Sequence, residues 1–239
     1  KVVKKEMESD VPVGIFLSGG LDSSLVAFQA QRASSGNIPS FSLGFEEGTH
    51  DESTAAGQIA EVLGLKHHAF RLSRDMLRES LFTVASHMDE PFGDSTVLPL
   101  FALSRLARDH VKVALTGWGG DELFGGYPTY KAHRLAAFYR RLPSVLSQRV
   151  MPSLVEHLPV SDGYMSFEFK AKRFVKGMDR SPEEQHFLWM GYFDAKGISR
   201  LFREEVLDDM VHATPFPPAP LLEELDEENL LDRIMHLDA

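Results

Sequence analysis

Short apolar runs separated by amphipathic stretches set the rhythm of the first half of the chain. Val11-Pro-Val-Gly-Ile-Phe-Leu17 is almost wholly apolar and predicts a buried strand, with a helix over Ser23 to Ala33 behind it. Ile38 to Phe45 predicts a second strand, and Glu52 to Leu63 a helix closed by Gly64 as its C-cap. His67 to Leu72 predicts a third strand. Ser73 then stands as N-cap of a helix whose apolar side repeats at Leu77, Leu81, Val84 and Met88. A helix over Thr96 to Asp109 leads into the alternating strand Val111-Lys-Val-Ala-Leu115. Strand–helix alternation at this spacing predicts parallel βαβ units, that is, an α/β fold with a doubly wound parallel sheet.

The pattern changes after residue 128, where strand signals stop. Leu135, Phe138, Tyr139 and Leu142 recur at helical spacing and predict a core-facing stripe. Ser181-Pro182-Glu183-Glu184 combines an N-cap, a proline at the first helical position and a capping-box glutamate. Leu221 to Leu237 is acidic and amphipathic, again helical, and Pro215, Pro217, Pro218 and Pro220 mark an exposed connection before it. The expected organisation is an α/β region over 1–128 and a mainly helical region over 129–239.

Composition narrows the class. In 239 residues, 43% apolar content supports a real core, and no apolar run is long enough to span a bilayer. Lys1 to Glu6 has no apolar h-region, so no signal peptide is expected. With no cysteine, the chain holds no disulfide, no thiolate zinc site and no cysteine nucleophile, and a reducing, cytoplasmic setting is the expectation. A net charge of −10 argues against a nucleic-acid partner, which would need a basic face. Residues 221–239 hold seven acids against the single base Arg233, while Lys170, Lys172, Arg173 and Lys176 cluster upstream; both read as solvated helix faces.

The sharpest chemical feature is Ser18-Gly19-Gly20-Leu21-Asp22-Ser23-Ser24, directly after the first strand and opening its helix. Gly19 and Gly20 let the backbone turn tightly beside a ligand, the serines supply hydroxyls, and the helix end adds unpaired N–H groups. Together they predict a site for a polyanion, most plausibly phosphate. Neither a Walker loop nor a dinucleotide Gly-x-Gly-x-x-Gly turn is present. Asp22 would repel the anion it helps to bind unless a bridging Mg²⁺ lies between them. Asp121, in Leu115-Thr-Gly-Trp-Gly-Gly-Asp-Glu122, also follows a strand and is the best second metal acid; in a parallel sheet both loops leave the carboxyl edge, where ligands bind. The bland alternative is a serine-rich turn and a plain Gly-Gly-Asp turn with Glu122 starting a helix.

These residues carry a resemblance. Ser18 to Ser24 resembles the pyrophosphate loop of the N-type ATP pyrophosphatases, and alone would also suit GMP, NAD or argininosuccinate synthetases. With Asp89-Glu-Pro91 and Thr116 to Tyr127, above all Gly119 to Tyr127 (GGDELFGGY), the chain resembles the synthetase domain of glutamine-hydrolysing asparagine synthases. That resemblance is specific over residues 8–130. It implies an ATP-pyrophosphatase (HUP-like) sheet and an ATP-dependent ligase that adenylates a carboxylate, by default aspartate, releases pyrophosphate, and then forms an amide with ammonia. It implies that Ser18, Gly20, Ser23 and Ser24 hold pyrophosphate and that Asp22 and Asp121 bind Mg²⁺. Leu17, Leu43, Thr116 and Gly117 would surround the nucleotide, and Glu122 would contact the amino-acid substrate or the incoming nitrogen. Asp89-Glu90 becomes a substrate-side loop in this reading.

Three departures qualify the resemblance. The family's glutaminase domain, with its cysteine nucleophile, is absent from these residues, so ammonia must come from elsewhere. The family's lysine downstream of the Met-His-Leu-Asp run (here Met235 to Asp238) is also absent, which implies nucleotide binding with slow adenylation and a fragment of a longer polypeptide. Trp118 stands where the family usually has Glu or Asp. It favours the alternative of a relative acting on another carboxylate, as in β-lactam-forming or cell-surface-modifying amidotransferases. A nucleotide-binding module without activity is the third reading, and a homodimer is left open. His67-His68 lacks metal-ligand spacing and reads as a packed or edge pair.

Overall fold

The computed structural model describes residues 1–34, 36–45, 51–89, 94–160, 166–191, 195–203, 205–207 and 229–238. The chain divides into two compact units, Lys1–Trp118 and Gly119–Ala239. The division falls inside the glycine-rich stretch, earlier than the boundary at 128 expected from the loss of strand signals.

The first unit is built on four parallel strands, β1 (Val13–Phe16), β2 (Pro39–Phe45), β3 (Lys66–Leu72) and β4 (Val113–Leu115), in the order β3-β2-β1-β4. Register is fixed by pairs such as Ile15↔Ser40, Val13↔Val113 and Phe41↔His68. Alternation along the strands sends side chains to two cores. Ile15 and Leu17 pack with Ala27, Ala30, Ala56 and Ala60, from α2 (Leu21–Ala33) and α3 (Ser53–Leu63). Phe41 packs with Ala107 and Val111 beside Phe16, Phe70 and Leu103, against α5 (Val97–Ala107). Helices on both faces make the sheet doubly wound. Small residues on α2 and α3 let these helices lie close to the sheet. A short α1 (Val2–Glu6) adds Val3 to the first core, and α4 (Arg74–His87) begins where Ser73 accepts the amide of Met76. Gly64 ends α3 with φ 66°. On edge strand β3, His67 is held between Ser40 (2.9 Å) and Ser42 (3.1 Å), while His68 stacks on Phe41 and lies against His110.

In the second unit the described residues are helical: α6 (Gly120–Phe124), α7 (Pro128–Tyr139), a π-helical turn (Leu146–Val150) running into α8 (Met151–Glu156), α9 (Phe167–Val175), α10 (Pro182–Met190), α11 (Ala195–Leu201) and α12 (Leu230–Asp238). The capping box at Ser181 and Glu184 is present in full. The prolines at 215–220 and the acids from Glu223 to Glu228 lie outside the described residues, as does the start of the helix expected from Leu221.

The apolar stripe of α7 corrects the sequence reading. Leu135 (59% exposed), Phe138 (65%) and Leu142 face solvent, and only Tyr139 of that set is buried. The buried face is Tyr130, His133, Ala136 and Tyr139, at a spacing of three. Polar groups go inward because partners await them. Tyr130 donates to Asp238 Oδ2 (2.7 Å), His186 Nε2 meets Asp238 Oδ1 (2.8 Å), and His133 Nε2 lies 3.2 Å from His186 Nδ1. Trp189 lies against the His133 ring, and Glu183 is buried in an ion pair with Arg233 (2.6 Å). These pairings offset part of the cost of burial, while His133 Nδ1, Trp189 Nε1 and Arg233 Nε are buried with no hydrogen-bond partner among the described residues. Arg173 likewise departs from a solvated face. It donates to the carbonyls of Trp189 and Gly191 at the C-terminal end of α10, where a cation is favoured, while Lys172 pairs with Glu168 on the surface.

Burial, with His186 and Arg140 adding to it, lowers His133 from its ordinary 6.5 to about 4 against the opposing pull of Asp238. The folded unit therefore keeps His133 neutral while the unfolded chain takes up a proton below about pH 6.5. Stability is complete above that pH and is lost as pH falls toward about 4, with a slope of up to about 1.4 kcal/mol per pH unit from this group. Urea titrations across this range should show the loss for the native chain and a flatter profile for His133→Gln. Equal profiles would mean that His133 does not titrate differently on folding.

Candidate active site

β1 ends at Phe16, and Leu17 continues its line by donating its amide to the Phe41 carbonyl at 2.9 Å. The chain then turns through Ser18, Gly19 and Gly20 into α2. Gly19 has φ 81°, a conformation that favours glycine, and a Cβ there would lie 2.8 Å from the Ala56 amide at the start of α3. Ser18 Oγ accepts the Gly20 amide (3.3 Å) and pairs with Ser23 Oγ (3.0 Å). Ser23 is buried and its hydroxyl also donates to the Gly20 carbonyl, while Ser24 donates to the same carbonyl at 2.6 Å. Ser23 thus braces the turn from inside and the half-buried Ser24 from its outer side; Ser18 and Gly20 are its exposed parts.

Gly20 is the N-cap of α2 and no side chain caps it. The first-turn amides are therefore left with the positive end of a 13-residue helix and no internal acceptor. Asp22 lies in that turn, half-buried, with no hydrogen bond or ion pair among the described residues. Its hard, unpartnered carboxylate suits Mg²⁺ better than any softer metal.

β4 is parallel to β1, so the segment Thr116-Gly117-Trp118 leaves the same carboxyl edge as the serine–glycine turn. The two segments touch. A Cβ on Gly117 would lie 2.5 Å from the Ser23 amide nitrogen and 3.0 Å from the Asp22 carbonyl carbon. Only glycine lets this backbone reach the first turn of α2, a close approach that the sequence reading did not assign to it. Leu43, on β2, is half-buried toward the same end of its strand, beside Gly44, which packs on Ser53 and Asp51. Asp89 closes the segment after α4, whereas Glu90 and Pro91 lie outside the described residues.

Asp121 and Glu122 stand in the first turn of α6, in the second unit. Asp121 is exposed and its carboxylate lies over Gly126, in the place that a Cβ there would take. Glu122 is half-buried and accepts a 2.6 Å hydrogen bond from the Tyr127 hydroxyl. Burial, then the Glu122 hydrogen bond and charge, push Tyr127 above its usual range, so it remains a donor to Glu122. Tyr127 was quoted in the sequence only as the end of a motif; its role as Glu122's partner has no local signal beyond the five-residue spacing.

A parallel sheet wound on both faces, with a glycine–serine turn between its first strand and first crossover helix, places the first unit in the doubly wound α/β class. More narrowly, the chain belongs to the asparagine synthase family, whose sequence profile matches residues 1–239. It is similar to asparagine synthetase [glutamine-hydrolyzing] 1 of Bacillus subtilis, 37% identical over 149 residues that cover 62% of this chain and 23% of that one. It is also similar to asparagine synthetase [glutamine-hydrolyzing] 1 of Arabidopsis thaliana (38% over 138 residues; 52% and 23%) and to the asparagine synthetase of Asparagus officinalis (37% over 139 residues; 52% and 23%). The matched part thus spans about a quarter of the length of these relatives. Among the described residues no helix is long and apolar enough to cross a membrane.

Proposed function

We propose that the chain is the synthetase part of an ATP-dependent amidotransferase of the asparagine synthase type. A carboxylate oxygen attacks the α-phosphorus of ATP, the bond to the bridging β-oxygen breaks, and pyrophosphate leaves. Ammonia then attacks the activated carbonyl, losing a proton as AMP departs and the amide forms. The observation that carries this reading is the uncapped first turn of α2, bracketed by the Ser18–Gly20 turn and by Gly117. Backbone amides and a helix end fixed in this way stabilise charge that grows on a leaving pyrophosphate without having to reorganise. Ser18 presents an exposed hydroxyl beside the first-turn amides of α2, with Ser23 and Ser24 holding the Ser18–Gly20 turn in place. Leu17, Leu43 and Thr116 are assigned to the nucleoside side.

Asp22 and Asp121 are assigned to Mg²⁺ on the chemistry of the donor set. When bound, the ion neutralises phosphate charge in the leaving group. Glu122, oriented by Tyr127, is assigned to the amino-acid substrate or the attacking nitrogen. Aspartate is the default acceptor, and ammonia reaches the site from a glutaminase activity that these cysteine-free residues do not supply. Trp118 favours a second reading, a relative that activates another carboxylate.

The test is carboxylate-dependent exchange of labelled pyrophosphate into ATP by the purified protein, over a panel that includes aspartate. Exchange that requires both Mg²⁺ and a carboxylate supports the proposal. Binding of Mg·ATP with no exchange for any carboxylate would leave a nucleotide-binding module and overturn it.

A further inference from the structure

Leu135, Phe138 and Leu142, which face solvent, share their side of α7 with three exposed cations, Lys131, Arg134 and Arg141. At helical spacing these six positions fall opposite the buried Tyr130, His133, Ala136 and Tyr139. Arg141 and Leu142 continue the turn past the end of α7, their amides bonded to the Phe138 and Tyr139 carbonyls. The outward face therefore runs roughly 16 Å, about three helical turns.

Charge sets this face apart. Residues 123–155 hold five bases (Lys131, Arg134, Arg140, Arg141 and Arg149) and no Asp or Glu, in a chain whose net charge is −10. Arg140 turns inward and donates to Gln185 Oε1 at 2.7 Å. Lys131, Arg134 and Arg141 make no ion pair among the described residues, and Arg141 lies over the Phe138 ring at 5.4 Å. Apolar side chains exposed singly are ordinary, whereas an aligned set rimmed by one sign of charge marks an interface. The exposed stripe Leu21, Leu25 and Phe28 on α2 lacks that second feature, since α2 carries one acid, Asp22, and one base, Arg32.

We propose that this face of α7 docks an acidic amphipathic helix of a partner protein. The partner's apolar side lies on Leu135, Phe138 and Leu142, and its carboxylates pair with Lys131, Arg134 and Arg141. A helix laid in this way offers anchors at i, i+3, i+4 and i+7, which suit three turns of α7. An anionic lipid surface or a nucleic acid would meet the whole chain and its net charge of −10, whereas a helix meets only the local cations.

The probe is a synthetic helical peptide with leucine on one face and glutamate on the other, titrated into the purified chain and followed by fluorescence anisotropy. Its counterpart carries lysine in place of glutamate. The expected result is that the glutamate peptide binds, more weakly as salt rises, and that the lysine peptide does not. Arg134→Glu combined with Arg141→Glu should weaken binding at least about 10-fold, and Phe138→Ser should do so separately. Arg78→Glu, an exposed charge reversal on α4, should leave it unchanged. Thermal melts accompany each variant, and two variants of different chemistry keep the test decisive if one of them lowers the Tm. No binding of the glutamate peptide, equal binding of both peptides, or an equal loss with Arg78→Glu overturns the proposal. So does binding to phosphatidylserine vesicles, or self-association, that the α7 variants abolish, since the occupant is then a lipid surface or a second copy. ATP takes no part in these measurements, so their outcome is independent of the adenylation reading.

Discussion

Replacing Asp22 by asparagine should remove the Mg²⁺ dependence of ATP binding. The native carboxylate stands in the first turn of α2 without a partner among the described residues, beside amides that attract phosphate. Without a cation, its charge opposes a polyanion; with Mg²⁺ between them the sign reverses. An amide keeps the shape and loses the charge. Mg·ATP should bind the variant roughly 10- to 100-fold more weakly, since even indirect supports of a metal ligand are worth that much. Metal-free ATP should bind the variant as well as, or better than, the native chain. Calorimetry with and without Mg²⁺ distinguishes this from a purely structural Asp22. A dipole-stabilising acid would be worth about 0.3–1 kcal/mol of folding stability and would leave the ratio of the two affinities unchanged.

The second large effect is expected at Gly117. Adding one methyl group places a carbon 2.5 Å from the Ser23 nitrogen, against backbone at the start of a helix that cannot swing aside. Gly117→Ala should therefore push the β4 segment away from α2, with a loss of about 1–3 kcal/mol. For a chain of this size that corresponds to a Tm lower by roughly 2–4 °C per kcal/mol. Nucleotide binding should fall with it, since the turn loses its second wall. Gly36, with nothing within 4 Å of a built Cβ, is the control: Gly36→Ala should leave both properties unchanged. A Gly117→Ala protein with native Tm and affinity would show that the two segments do not touch.

Much of the first unit was legible because its signals are local. β1 reads as an apolar run, Ser73 and Gly64 cap their helices as their chemistry dictates, and the serine–glycine turn falls between a strand and a helix. What the sequence did not reveal depends on residues far apart in the chain. The inward face of α7 is set by Tyr130 and His133, whose partners Asp238 and His186 lie 108 and 53 positions away. Hydrophobic periodicity alone chose Leu135, Phe138 and Leu142 instead, because it has no means to credit a buried hydroxyl or imidazole with a distant acceptor. Arg173 was misread for the same reason: its acceptors are main-chain carbonyls, which carry no sequence label. At the candidate site, residue types marked Asp22 and Asp121 as acids of interest, but the bracing roles of Ser23 and Ser24 and the contact of Gly117 emerge only from three-dimensional placement.

Strand β1 pairs with Ser40 and Phe41 on one side, 25 positions downstream, and with Val113 to Leu115 on the other, 100 positions downstream. Closing the shorter connection loses less chain entropy, so β1 and β2 are expected to join before β4 arrives. Until then β1 is an open edge, a parallel template of apolar residues that another chain could extend. Gly117 travels with β4. The wall that completes the turn around Asp22 and Ser23 thus depends on the longest-range pairing in the sheet, and ligand affinity should appear late during refolding, after the β1–β2 pairing.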